Sequence, residues 1–204
     1  MARGTEPGQP AGILAAWPRW EHFARYMWPT MTIPGAPFGL LEIRIEPYDD
    51  KPLVLGDGTE IREGMLIGEM HCNNLALLDL IRKKQVNPFR ACREDLHSLA
   101  AWVSSSETGA QVEAFFALTM LSRGAARLGF SVRHRPVNFR NRLDRLFMTG
   151  LLLLYNVDGL ERLTRGATLR SYPQEVWMSR RKLLHLYRKP GALASKSDSE
   201  ILAD

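Results

Sequence analysis

Along this chain of 204 residues the spacing of apolar positions changes from block to block, and each spacing predicts a different element. Leu41, Ile43 and Ile45 alternate with Glu42, Arg44 and Glu46, which predicts a strand buried on one side. The short runs 53–55 and 59–61 flank Gly56-Asp57-Gly58 and read as two strands joined by a tight turn, because Asp-Gly tolerates positive φ. Past a turn at Glu63-Gly64, Met65 to His71 reads as a further strand, running into Asn73-Asn74 and a helix from Leu75 to Lys84. Asn87-Pro88 starts the next helix, about Phe89 to Ser105, whose stripe is Cys92, Leu96, Leu99, Ala100 and Val103. Val112 to Met120, Ser122 to Leu128 and Phe130 to His134 form a strand–helix–strand unit. A helix from about Asn138 to Asn156, a turn at Asp158-Gly159, a strand leading to Val176 and a last helix from Ser179 to Arg188 follow. Near the start, Trp17, Trp20, Ala24, Met27 and Trp28 recur at helical spacing between Pro18 and Pro29.

Strands and helices mixed without regular alternation define an α+β class. The expected architecture is a single domain over 13–188, with a mixed or antiparallel sheet, an N-terminal β-hairpin region and several packing helices. Residues 1–12 and 189–204 are small, polar and rich in Pro, Gly and Ser, and read as disordered tails. With 45% hydrophobic and 24% charged residues, the chain is no disordered, collagen-like or disulfide-scaffold protein. Its two cysteines, Cys72 and Cys92, form no CxxC pair, so a zinc ribbon and a thioredoxin-type site are excluded and the cytoplasm is the simplest setting. The longest apolar run, Leu146 to Tyr155, is too short to cross a bilayer, and the first twelve residues lack a signal peptide's layout.

Charge divides the chain unevenly. Residues 1–122 carry 11 basic and 15 acidic side chains, whereas residues 123–189 carry 15 and 4, most of the basic ones arginine. Arginine forks match phosphate and carboxylate oxygens two at a time, so a converging subset suits an anionic ligand or an acidic lipid surface; solvated or internally paired helix faces explain the same composition. Nucleic acid is disfavoured, since no zinc finger, RNA-binding aromatic motif or basic run beyond Arg180-Arg181-Lys182 is present.

Two stretches carry candidate chemistry. In an extended Gly68 to Asn74, Glu69, His71 and Asn73 share one face while Met70 and Cys72 take the other, where Cys72 is expected to be buried rather than nucleophilic. A carboxylate beside an imidazole suits a general base with its orienter, or a buried structural pair, with Asn73 or Asn74 capping the helix that follows. A metal is not expected, because His22, His97, His134 and His185 form no HxH or HxxxH pair; no cofactor loop is present either. In Glu175 to Arg181, Ser179 suits an N-cap, yet Arg180, Arg181 and Lys182 occupy the first turn, where the helix dipole disfavours cations. An anion should compensate there: an internal carboxylate such as Glu69 or Glu175, or a ligand.

The stretches LVLGDGTEIREGMLIGEMHCNN, ALTMLSRGAARLGFSV and EVWMSRRKLLHLYR resemble the YkoP-like domain, a bacterial family found alone or fused to polysaccharide deacetylases. The resemblance places the family's motif residues on Asp57, Gly58, Gly64, Gly68, Glu69, His71, Asn74, Trp177, Ser179 and Arg180. It implies work on cell-envelope polysaccharide or glycolipid, without the deacetylase's paired-histidine metal motif. The first expectation is an accessory protein that binds an anionic small molecule, glycan or glycolipid head group, with Glu69, His71 and the Arg180-Arg181 helix start lining one pocket and Asn74, Asp57, Trp177 and Ser179 as further ligand-binding candidates. Alternatives are an enzyme using Glu69 and His71 as an acid–base pair, and a module docking on a partner enzyme through Trp17, Trp20 and Trp28. A cytoplasmic protein, at the inner membrane surface if the basic half contacts lipid, is the expected setting.

Overall fold

The half-buried alternation of residues 41–46 builds the second strand of a sheet whose edge is the two-residue strand β1 (Met31–Thr32). In the computed structural model, which describes residues 29–83, 86–135, 142 and 172–189, all the elements belong to one compact unit beginning at Met31. After β1 come β2 (Leu41–Pro47), β3 (Leu53–Val54), β4 (Glu60–Ile61) and β5 (Leu66–Cys72). Helices α1 (Asn74–Lys83), α2 (Pro88–Ser105) and α3 (Glu107–Gln111) lead to β6 (Val112–Thr119). The short helix α4 (Ser122–Arg127), β7 (Ser131–Arg133), β8 (Gln174–Ser179) and α5 (Arg180–Tyr187) complete the described elements. The expected helices around Trp17–Trp28 and over 138–156 apart from the helical Arg142, the turn at 158–159, and the tails apart from Lys189 lie outside the described residues.

Six strands form one mixed sheet in the order β1-β2-β5-β6-β8-β7, and β3 pairs with β4 as a separate hairpin. Only β5 and β6 run parallel; every other neighbouring pair is antiparallel. The α+β class therefore holds, with one feature the pattern did not convey. Strands β6 and β7, consecutive on either side of α4, are not neighbours, because β8 is inserted between them and pairs with both. The strand–helix–strand unit is thus split by a strand from the far end of the chain.

Each face of the sheet is covered differently. Ile43, Met70, Phe115, Val176 and Met178 pack against Leu96, Leu99 and Val103 of α2 and Leu183 and Tyr187 of α5, which makes the main core. Gly68 faces the same side, and a Cβ there would stand 2.5 Å from the Phe115 ring, so β5 needs glycine to let that ring lie over it. On the other face the hairpin supplies Leu55 and Ile61, which close over Ile67, Ala114 and Trp177 together with Tyr48. Asp95 of α2 is fully buried, and its carboxylate accepts backbone N–H bonds from Phe38 (3.2 Å), Leu40 (2.7 Å) and Leu41 (3.2 Å). That one side chain satisfies the irregular connection before β2, where the backbone has no ladder of its own. Among the described residues no helix is long and apolar enough to cross a membrane.

Candidate functional site

The candidate residues fall into two clusters rather than around one pocket. The first begins in the β3–β4 hairpin. Leu55 accepts from Gly58 N–H (2.9 Å) and donates to Thr59 O (2.8 Å), which leaves a three-residue loop with Gly58 at φ 82°. Glycine alone takes the positive φ there, and Asp57 serves a different purpose. Its Oδ1 accepts from Thr59 N–H at 3.1 Å, while its Oδ2 accepts a short bond from the Ser179 hydroxyl. The Ser179 oxygen in turn accepts from Lys182 N–H at 3.0 Å and so caps α5. Arg181 donates to the Asp57 carbonyl and lies 3.6 Å from Oδ2. Partial burial raises the Asp57 pKa, but the Ser179, Thr59 and Arg181 contacts outweigh it and hold the carboxyl below its usual range. Arg180 lies 3.7 Å from Glu113. Arg180 and Arg181 in the first turn of α5 are therefore met by carboxylates of this chain, Glu113 and Asp57, and not by Glu69 or Glu175.

The second cluster stands on the outer face of β2 and β5. Register pairs Arg44 with Glu69 and Glu42 with His71. Arg44 Nη2 donates to Glu69 Oε2 at 2.5 Å and also reaches Glu46 at 2.8 Å. His71 Nε2 lies 3.3 Å from the same Glu69 oxygen, off the direction of a hydrogen bond. His71 Nε2 and Arg44 Nε are both buried atoms without a hydrogen-bond partner among the described residues. Burial raises the Glu69 pKa, yet His71 and Arg44 together outweigh it, so Glu69 is held ionised below the ordinary carboxylate range. Arg44 and His71 both crowd one Glu69 oxygen, which takes a hydrogen bond from Arg44, and two nitrogens are left over.

Register extends this cluster across the sheet: Arg44, Glu69, Phe116, Trp177 and Ser131 lie in one row on five strands. Phe116 and Trp177 stack with centroids 4.8 Å apart and planes 20° from parallel. Trp177, expected at a ligand, is 4% exposed; Tyr48 packs edge-on against it at 6.1 Å, and its Nε1 donates to Glu175 at 3.2 Å. Glu175 also lies 3.5 Å from Arg133 and 3.4 Å from Arg135. Strand β6 separates Glu69 from Ser179, so the two clusters do not converge.

The remaining candidates take local positions. Asn74 is the first residue of α1, and the cap is Asn73, whose Oδ1 accepts from Ala76 N–H at 3.2 Å while its amide donates to the buried Glu42 at 3.0 Å. Cys72, expected on a buried face, is solvent-exposed at the end of β5. The protein packed around the thiol, with Cys92, Glu42 and Asp95 nearby, nonetheless pushes its pKa up to about 12, so it stays protonated. Among the described residues, no group of three His, Cys, Asp or Glu side chains is placed to hold a metal ion. Among the participants missed from the sequence are Arg44, whose place on the polar side of an alternating strand was the available signal, Phe116 and Glu113 of β6, and Asp95, whose only signal was a carboxylate inside an apolar helical stripe.

The family profile of the YkoP domain matches residues 11–187, most of the chain. This chain belongs to the YkoP domain family. It is 23% identical over 158 residues to Uncharacterized protein YkoP of Bacillus subtilis (strain 168), a match covering 74% of this chain and 82% of that relative. No solved structure matches it. Both clusters of this YkoP domain lie within the matched span, and so does the buried Asp95 anchor.

Proposed function

We propose that this YkoP domain is a binding module for an anionic sugar or glycolipid head group, and that its ligand meets the outer face at Arg44, Glu69, His71 and Phe116. The carrying observation is the row that sets an arginine–carboxylate–imidazole group beside the half-buried Phe116 ring. Sugars offer hydroxyls to carboxylates and imidazoles and a C–H face to aromatic rings, and their acidic groups fit an arginine fork. The crowding on one Glu69 oxygen supports the same reading. An arriving anion could take the Arg44 fork, leave Glu69 to His71, and give the two unpartnered nitrogens acceptors.

Resemblance to domains fused to polysaccharide deacetylases supports an accessory part in cell-envelope polysaccharide or glycolipid metabolism, in the cytoplasm or at the inner membrane surface. A catalytic reading rests on the 3.3 Å approach of His71 to Glu69, which could orient a general base. Binding is preferred because Arg44 holds the Glu69 oxygen more closely, at 2.5 Å, and among the described residues no nucleophile is hydrogen-bonded to the pair. Thermal unfolding with glucuronate, UDP-N-acetylglucosamine and inorganic phosphate tests the proposal. A ligand-dependent rise in Tm that disappears in Arg44→Gln and His71→Ala, with the unliganded Tm little changed, supports it. No rise with any of the three, or a rise that both variants keep, overturns it.

A further inference from the structure

A cavity of about 270 Å³ lies on the other side of the molecule's chemistry, away from both clusters and lined by no family-motif residue. Its floor is one stripe of α2, Glu94, His97, Ser98, Ala101 and Ser104, and its rim is the loop at Gly35 and Pro37 with Arg188 and Lys189 beyond α5. His97 Nδ1 lies 2.6 Å from the carbonyl oxygen of Tyr187, and the two rings pack edge to face at 5.2 Å. A carbonyl only accepts, so the proton of the neutral ring sits on Nδ1 and Nε2 keeps its lone pair. Ser98 donates to Gly35 O at 2.9 Å and Ser104 to Ala100 O at 2.8 Å, which commits both hydroxyl protons and leaves both oxygens as acceptors.

The donors and acceptors are thereby sorted. Glu94, His97 Nε2, Ser98 and Ser104 can accept, while Arg188 and Lys189 can only donate, and no ion pair ties Glu94 to either cation among the described residues. We propose that this cavity binds a small molecule bearing a phosphate or carboxylate at one end and amine or hydroxyl donors at the other. The acid faces Arg188 and Lys189, and the donors face Glu94 and the His97 lone pair. The volume suits about one sugar ring or amino acid, just below the usual range of small-molecule pockets. The site does not depend on the row at Arg44.

The test is an NMR titration of the full chain with glucosamine 6-phosphate, which carries both ends, and with glucosamine and inorganic phosphate, which carry one each. Glucosamine 6-phosphate should give saturable shifts at Ser98, Ser104 and the His97 ring, at lower concentration than either fragment. Arg188→Ala, at an exposed residue, should weaken it about tenfold, the worth of one charge-assisted contact. Glu94→Gln should cost the amine-bearing probe more than phosphate, and Arg44→Gln should change nothing here. Absence of saturable shifts at these residues with all three probes at millimolar concentration overturns the proposal. Binding unaffected by Arg188→Ala, or shifts confined to Arg44 and His71, overturns it equally.

Discussion

Asp57 and Glu69 are both ionised carboxylates at family-motif positions, both held below their ordinary pKa, and both within reach of an arginine. Around Asp57 each oxygen has its own donor, and the bonds join a hairpin loop to the start of α5 across most of the chain. Around Glu69 one oxygen is shared by Arg44 and His71, and nitrogens on both partners are left without acceptors. A satisfied cluster holds the fold at its lowest energy as it stands. A crowded one has something to gain from an incoming group. Two motif segments that look equally chemical in sequence thus divide into a latch and a candidate binding row.

The sharpest way to break this contrast is to remove each carboxylate and compare stabilities. Asp57→Ala should cost about 2–3 kcal/mol in urea unfolding, since it strands the Ser179 hydroxyl and removes the Thr59 and Arg181 contacts. Ser179→Ala should cost about 1–2 kcal/mol by loss of the α5 cap, and the double variant should cost less than the sum because the two share a bond. Glu69→Gln should stay within about 1 kcal/mol, as expected for a partly exposed ion pair. If Glu69→Gln proves the more damaging, the roles are reversed.

Acid titration sharpens the comparison further. Both folded-state pKa values lie below the unfolded ones, so each carboxylate contributes fully above the ordinary range near about 4 and loses its contribution as pH falls through the folded value. Asp57→Asn and Glu69→Gln should each flatten the fall of stability on the acid side, read from melting temperature against pH. The smallest effect belongs to Glu113→Gln, whose 3.7 Å pair with Arg180 is half exposed. It should shift stability by about 0.5 kcal/mol or less, and a larger loss would extend the latch to a second carboxylate.

Much of the local structure was legible in the chain. The alternation at Leu41, Ile43 and Ile45, the Asp57-Gly58 turn and the Ser179 cap each rest on contacts within a few residues, where period and backbone preference decide the outcome. The Glu69–His71 neighbourhood was legible for the same reason, being a strand's two-residue period. Arg44 was not, because its partnership needs the β2–β5 register, and neither was the Asp57–Ser179 bond between residues 122 apart. Trp177 carries a polar tip and an apolar ring, and sequence could not tell that two aromatic neighbours would bury it. Five-residue α3 was missed as well: one turn of helix leaves no period to read.

The insertion of β8 between β6 and β7 also orders events in time. While the chain emerges from the ribosome, β6 is available long before residues 174–179, so one flank of it stays open until the last strand arrives, and β7 has no neighbour to join. Closing that gap brings Phe116 to Trp177, residues far apart in sequence, the kind of contact that slows folding and leaves an adhesive edge during the wait. Synthesis interrupted before Gln174 would release a four-stranded sheet ending at an open β6, with β7 detached, and self-association through β6 is its expected fate.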